Sequence, residues 1–311
     1  MPRARGARSI LAGAFETNYG EAPASGFRQL PFATSGLSQD VPLLESELLG
    51  FGRDPLAPIP DVETTDGPIV IPIDAENLGL WLKATFGDPV TSGAGPYTHV
   101  FSSGGWELPS LALEVGMPDA PTFSMFEGVK VDSFRFQKQR GGQLQATVEL
   151  IAQGETPNAA TQAGSLTSYA LKRFGQRQGT LTREGAAIGN IVSASFNYAN
   201  NLDRIDTLRN DGKIEGIDEA LAACTGEIVV RFANSALLNQ AKAGTPSAFT
   251  YGFTNGTESV VFSVPKVYLP VPRRSIEGPG GIQATFAWQA AQDDAAAPMV
   301  TATLINSVES Y

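Results

Sequence analysis

Gly67-Pro68-Ile69-Val70-Ile71-Pro72-Ile73 and Gly226-Glu227-Ile228-Val229-Val230-Arg231-Phe232 decide how the chain reads. The two stretches lie 159 residues apart, and Ile69, Ile71 and Ile73 fall on Ile228, Val230 and Phe232. Alternation with period two marks a strand with one buried face, because successive side chains point to opposite sides of a sheet. Each stretch runs into a short helical pattern, and at the same offset Leu78 falls on Leu237. Beyond the first helix the expected strands are 97–101, 108–115, 128–136 and 144–151. Beyond the second they are 249–253, 259–269, 281–289 and 300–305. Upstream, 27–35 aligns with 188–196. The repeated order predicts an internal duplication. The fold class is mainly β, with two antiparallel β-sandwich lobes that each carry one short α-helix. The expected organisation is an N-terminal arm over 1–26, a first lobe over 27–154, a connector over 155–187 and a second lobe over 188–311. A length of 311 residues agrees with about two domains.

Local signals fill in the elements. Leu144, Ala146, Val148 and Leu150 alternate with polar residues, as do Ala284, Phe286 and Trp288, and then Val300, Ala302 and Leu304. Asn255-Gly256 between two such runs predicts a hairpin with a type I′ turn. Gly278-Pro279-Gly280-Gly281 is a second break. Two runs change parity: Val129 and Val131 give way to Phe134 and Phe136, and Val260, Phe262 and Val264 to Val267 and Leu269. Either an extra residue forms a bulge in each, or each strand is buried on both faces. Helices are expected over 75–86, with Asp74 as N-cap and Gly87 as stop, and over 235–243, with Asn234 as N-cap and Gly244 as stop. Two more are expected over 165–174 and around 43–49.

Composition removes whole classes of chemistry. Cys224 is the single cysteine and His99 the single histidine. A disulfide within the chain, a cysteine zinc cluster and a multi-histidine metal site are therefore excluded. No apolar run reaches the ~18 residues of a membrane span, and the apolar run after the basic start is too short for a signal peptide. The net charge of −10 argues against broad capture of nucleic acid. Phosphate loop, dinucleotide fingerprint and nucleophile elbow are all missing from the sequence. No catalytic, cofactor-binding or metal residue is assigned, no cofactor is expected, and the chain reads as a non-enzyme. His99 is expected to be structural or at an interface, Cys224 to be a small buried residue, and Asp293 and Asp294 to form a solvated hairpin tip. Asp203, Asp206, Asp211, Glu215, Asp218 and Glu219 share their stretch with Arg204, Arg209 and Lys213, which reads as a mobile charged loop and not a calcium site.

Charge is segregated along the chain. Asp40, Glu45, Glu47, Asp54, Asp61, Glu63 and Asp66 stand against Arg53 alone, in a stretch stiffened by Pro42, Pro55, Pro58 and Pro60. An excursion of that length between strands is functional or disordered. Basic residues gather elsewhere: Arg3, Arg5 and Arg8; Arg135, Lys138 and Arg140; Lys172, Arg173, Arg177 and Arg183 in the connector. Such segregation suits contact between copies of one chain, or simply two solvated faces.

The run Asp66-Gly67-Pro68-Ile69-Val70-Ile71-Pro72-Ile73-Asp74 with its helix, then Tyr97-Thr98-His99-Val100-Phe101, Leu108-Pro109-Ser110-Leu111 and Glu127-Gly128-Val129-Lys130-Val131, resembles the larger, two-lobed tail tube proteins of long-tailed (siphovirus-type) bacteriophages. Thr225-Gly226-Glu227-Ile228, Phe262-Ser263-Val264-Pro265-Lys266-Val267 and the ending Thr303-Leu304-Ile305-Asn306 continue the resemblance. It covers nearly the whole chain from about Phe27, through the order of elements and not through one motif. The resemblance implies a virion structural protein that polymerises as stacked rings, with lobes joined into an inner β-barrel through which DNA passes from capsid to host. It implies a loop reaching a neighbouring ring, and a tape measure protein and a tail terminator as partners, with no membrane involved. Six lobes per ring would need three of these chains, a trimeric pseudo-hexamer, favoured over a true hexamer. The channel face is expected to be polar and net negative, drawn from Gln145, Thr147 and Glu149 or from Gln283, Thr285 and Gln289. The basic clusters are expected at contacts. The alternative is a distal tail or baseplate ring, or a carbohydrate-binding adhesin, for which Tyr97 and Trp106 are the nearest candidates.

Overall fold

Period-two runs punctuated by glycine and proline commit most of this chain to strands. The computed structural model describes residues 3–231, 235–272, 281–294 and 297–311. In the first half the strands are β1 (Ile10–Phe15), β2 (Arg28–Gln29), β3 (Thr34–Ser35), β4 (Ser38–Asp40), β5 (Leu43–Leu44), β6 (Ile59–Pro60), β7 (Thr64–Pro72), β8 (Val90–Ser92), β9 (Tyr97–Ser102), β10 (Leu111–Met117), β11 (Thr122–Gln139), β12 (Gln145–Ala152) and β13 (Gly154–Asn158), with helix α1 (Leu78–Phe86) after β7. In the second half they are β14 (Gly179–Arg183), β15 (Ala186–Ala187), β16 (Ile191–Ala199), β17 (Asp203–Ile205), β18 (Gly216–Asp218), β19 (Ala223–Arg231), β20 (Ser247–Asn255), β21 (Glu258–Tyr268), β22 (Gln283–Ala290) and β23 (Thr301–Asn306), with α2 (Ala236–Ala243) after β19.

The ladders are antiparallel. A central sheet runs β4–β7–β12–β11–β16–β19–β22, with β3 also on the edge of β7. The end of β21 closes it, Val267 and Tyr268 lying against Ala290 and Gln289 of β22. A second sheet runs β14–β20–β21–β23–β9–β8. A third, β2–β1–β10–β11–β13, uses the first half of the long strand β11. Between the first two lies an aromatic core: Phe136 and Phe196 stack at 5.1 Å, and each meets Phe262 of the facing sheet, at 5.0 and 5.3 Å. Helix α1 buries Leu78, Leu80, Trp81, Leu82 and Phe86.

Part of the strand pairing recurs along the chain. β7 and β19 each bury the expected isoleucine or valine positions, and β7 pairs β12 as β19 pairs β22. The pairings β10–β11, β11–β12 and β11–β13 recur as β20–β21, β21–β22 and β21–β23. This corrects the strand equivalences expected from order alone by one position. The counterpart of 249–253 is β10, not the strand at 97–101. The hairpin β8–β9 has no counterpart and is added to the second sheet through β23. Both parity changes are bulges: the register shifts between Val131 and Ser133 of β11, and between Val264 and Val267 of β21. The two bulged strands occupy the same place in the repeated pairing.

Other expectations give way to long-range pairing. The sheets do not stop at the connector: β11 pairs β16, β9 pairs β23, and one hydrophobic cluster includes residues from both halves. Within 1–26, expected as an arm, β1 is a core strand with Leu11 and Ala12 fully buried. The connector is woven into the fold through β13 and β14. The helix expected over 165–174 is absent. There the backbone bonds to neighbouring segments, Thr167 N–H to the Phe27 carbonyl and Phe174 N–H to that of Ile73, so a helix would forfeit these bonds. The helix expected around 43–49 is replaced by the β5–β6 pair and an irregular tip, where Gly50 and Gly52 take φ of 93° and 108°. The leucine spacing suits a helix, but Leu43 and Leu44 are drawn into extended pairing with Pro60 and Ile59.

Turn and cap details also differ. Asn255 pairs with Glu258, so the central residues of that hairpin are Gly256 and Thr257. Only Gly256 has positive φ, 66°, which is the pattern of a type II′ turn and not I′. α1 starts at Leu78, yet Asp74 still organises its entry: Oδ1 accepts the N–H groups of Glu76 and Asn77 at 3.0 and 2.8 Å. Gly87 and Gly244 end the two helices as expected. Ser235 occupies the N-cap position of α2; Asn234, Phe232 and the break at 278–280 lie outside the described residues.

Candidate assembly interface

The central sheet has one face in the core and one that is polar. On the polar face Thr147, Arg135, Asn197, Thr225 and Gln289 stand side by side across five strands. The next row contains Ser195, Glu227 and Ala287, and the one after it Val229 and Thr285. Both candidate sets, Gln145, Thr147 and Glu149 and Gln283, Thr285 and Gln289, therefore share this single face. Its charges are balanced. Arg135 pairs with Glu149 at 2.6 Å, and Glu227 and Arg231 are exposed farther along. Arg135 thus sits on the sheet face next to Glu149 and not in a separate basic contact cluster.

Both margins of this sheet are open. Residues 283–288 of β22 bond to β19 on one side and have no ladder partner on the other among the described residues. Among the described residues β3 and β4 pair only with β7. An unpaired strand edge invites another strand.

The two long excursions leave from the same end of the sheet, where Asp66, Ile151, Lys130, Ala199 and Ala223 lie. The first, between β4 and β7, is a proline-stiffened arm held only at its base by β5–β6. Along it Leu43, Leu48, Leu49, Phe51, Ile59 and Val62 are each more than 60 % exposed. An arm with this much bare apolar surface has no core of its own. The second, 200–222, is not the mobile loop expected. It forms the β17–β18 hairpin and is pinned to the chain. Asn200 donates to the carbonyls of Thr85 and Val131, Lys130 pairs with Glu219 at 2.7 Å, Arg204 pairs with Asp66, and Ile214 and Ile217 are buried. The opposite end of the sheet carries Lys138, Arg140 and Arg231, beside the ends of β11, β16 and β19.

His99 is fully buried, with Nδ1 2.8 Å from Thr91 Oγ1 and Nε2 2.8 Å from the Val308 carbonyl. A carbonyl only accepts, so Nε2 donates to it, and the threonine hydroxyl engages Nδ1, leaving both ring nitrogens partnered. Cys224 is buried, and desolvation pushes its thiol pKa up. Asp293 pairs with Lys266, and Asp294 accepts the Ala297 N–H, but this is not the hairpin tip expected, because β22 pairs with β19 and β21 while β23 pairs with β21 and β9. Trp106 is 78 % exposed and Tyr97 half-buried.

Sequence reasoning missed two sites. Lys172 of the connector reaches both Glu76, at the entrance to α1, and Glu258 of β21, tying the halves together. Asp74 is buried, and desolvation raises its pKa to about 6 against the N–H groups that favour its charge. Its position directly after an apolar strand was the available signal. Among the described residues no group of three or more potential metal ligands forms, and no helix is long and apolar enough to cross a membrane. The family described as "Phage tail tube protein" matches residues 6–290. A comparison with curated proteins finds no match.

Proposed function

The chain belongs to the phage tail tube protein family, so it is a polymerising structural protein of the virion tail and not an enzyme, and on that basis we propose that its two halves are fused tube repeats, three chains to a ring. The single observation that carries this is the repeated pairing around a polar-faced sheet with two open margins. Each repeat supplies four strands, β4, β7, β12 and β11 from the first, β16, β19, β22 and the end of β21 from the second. An even number per chain matters. Strand direction alternates across the sheet, so the last strand of one chain runs opposite to the first of the next and the seam is antiparallel like the rest.

Size selects the number of chains. A barrel of about 8 strands is filled by its own side chains, so one chain encloses no channel. About 24 strands spaced roughly 4.8 Å apart and tilted about 40° close into a backbone cylinder roughly 45–50 Å across, wide enough for a DNA duplex within its side chains. The bore-lining face is then the row of threonine, serine, asparagine and glutamine described above. With Arg135 held by Glu149, few free cations are left to grip phosphate, and DNA slides without sticking. Rings stack into the tube of a long-tailed, siphovirus-type phage, the apolar arm 41–62 crosses to another subunit, and a tape measure protein and a tail terminator set the length. Native mass spectrometry of rings released from tubes tests the stoichiometry. Three copies per ring are expected; six copies would make one repeat an outer decoration.

A further inference from the structure

The acidic, apolar arm leaves one end of the central sheet, and at the other end lies a groove of about 810 Å³. Its walls combine Leu181, Ile188 and Val192 with the cations Lys138, Arg140 and Arg231. No carboxylate lines it. Val192 is 39 % exposed, and none of the three cations makes an ion pair among the described residues. Burial without a counter-charge lowers the pKa of Lys138. Three unpaired cations beside the exposed Val192 and the half-buried Ile188 suit a segment that is both acidic and apolar.

This chain contains such a segment. Over 43–54 the arm presents Leu43, Leu48, Leu49 and Phe51 with Glu45, Glu47 and Asp54. We propose that this groove is the receptor for the arm tip of a second copy, in the ring stacked on the basic end. The inference rests on the stacked-ring reading above and adds the surface that receives the arm. Three observations favour it. The charges are complementary, with opposite signs at opposite ends of one sheet, which orients head-to-tail stacking and rejects head-to-head contact. The arm is long: about eleven extended residues from base to tip span roughly 35 Å. The competing apolar hollow, about 450 Å³ beside Trp106, Leu221 and Met299, lies at the arm's own end and offers an acidic tip no cation, its one charged residue, Glu219, being already paired with Lys130.

The test uses the full chain in assembly. Arg140 and Arg231 are solvent-exposed, so the R140E/R231E double variant is expected to unfold as wild type does. Its critical concentration for tube formation should rise about tenfold or more. Adding E45K, E47K and D54K to that variant should restore assembly, because the charges are exchanged. Cysteine placed by L49C and I188C should cross-link neighbouring copies in tubes, whereas L49C with L221C should not. Normal assembly of R140E/R231E, failure of the exchanged variant to recover, or a link at Leu221 in place of Ile188 would each overturn the groove while leaving the tube reading standing. A wild-type chain that forms neither rings nor tubes would overturn both.

Discussion

Asp74 is the residue whose chemistry is most visible from outside. Its folded pKa of about 6 lies above the usual value of 3.8, because burial outweighs the three N–H bonds that Oδ1 receives from Glu76 and Asn77. Between those two values the folded chain holds a proton that the unfolded chain has released. Stability therefore falls as pH rises from about 4 to about 6, by at most about 3 kcal/mol from this group. Asp74→Asn keeps the acceptor and removes the titration. Urea unfolding from pH 4 to 7 should show the variant gaining on wild type as pH rises; parallel curves would place the titration elsewhere. His99 tests the structural reading of the lone histidine. His99→Ala strands the Val308 carbonyl and opens a hole, a loss of roughly 2–4 kcal/mol in unfolding experiments, while tubes that still form should look normal by negative stain.

At the scale of elements, what was legible in sequence was local. The parity change in 129–136 narrowed the reading to a bulge or a strand buried on both faces because side-chain period is a property of neighbouring residues, and Gly87 and Gly244 announced helix ends because the left-handed region admits few other residues. What was not legible depends on contacts far along the chain. The segment 165–174 has helical spacing, yet the carbonyls of Phe27 and Ile73 claim its N–H groups. The shift of strand equivalence by one followed because order cannot reveal that β8–β9 is an addition; only the β12–β7 and β22–β19 ladders do. The candidate bore face was named residue by residue, but that its two sets share one sheet depended on β11 meeting β16. The two excursions now separate by experiment. Replacing 43–59 with a short turn removes only exposed surface and should leave the melting temperature within a degree or two of wild type while abolishing tubes. Deleting 204–218 removes buried Ile214 and Ile217 and the Arg204–Asp66 pair, and should lower stability by several kcal/mol. Equal melting temperatures for both deletions would contradict the packing described for the second.

For the whole molecule, the balance of charge on the polar face matters more than its sign. A negative channel is expected so that DNA is not held, and seven acids of the net −10 chain stand in the arm 40–66, while on the sheet face Arg135 is paired with Glu149. Assembled tubes should show no salt-dependent affinity for duplex DNA. Replacing Glu149 and Glu227 by lysine should create it, with the slope of log affinity against log salt steepening by roughly 0.9 for each lysine that reaches a phosphate. Fluorescence anisotropy over a salt series reads this directly, and a flat response in the lysine variant would move these residues out of the bore.

The β11–β16 ladder lies within one polypeptide, where in a ring of single repeats the same contact would join two molecules. That contact forms at a rate independent of protein concentration. Only the seams between chains remain bimolecular, so a three-chain ring has a lower reaction order for closure than a six-body ring. In the three-chain ring proposed above, this would shorten the lag before the first ring at the dilute concentrations early in infection and make nucleation far less sensitive to how much protein the host has synthesised.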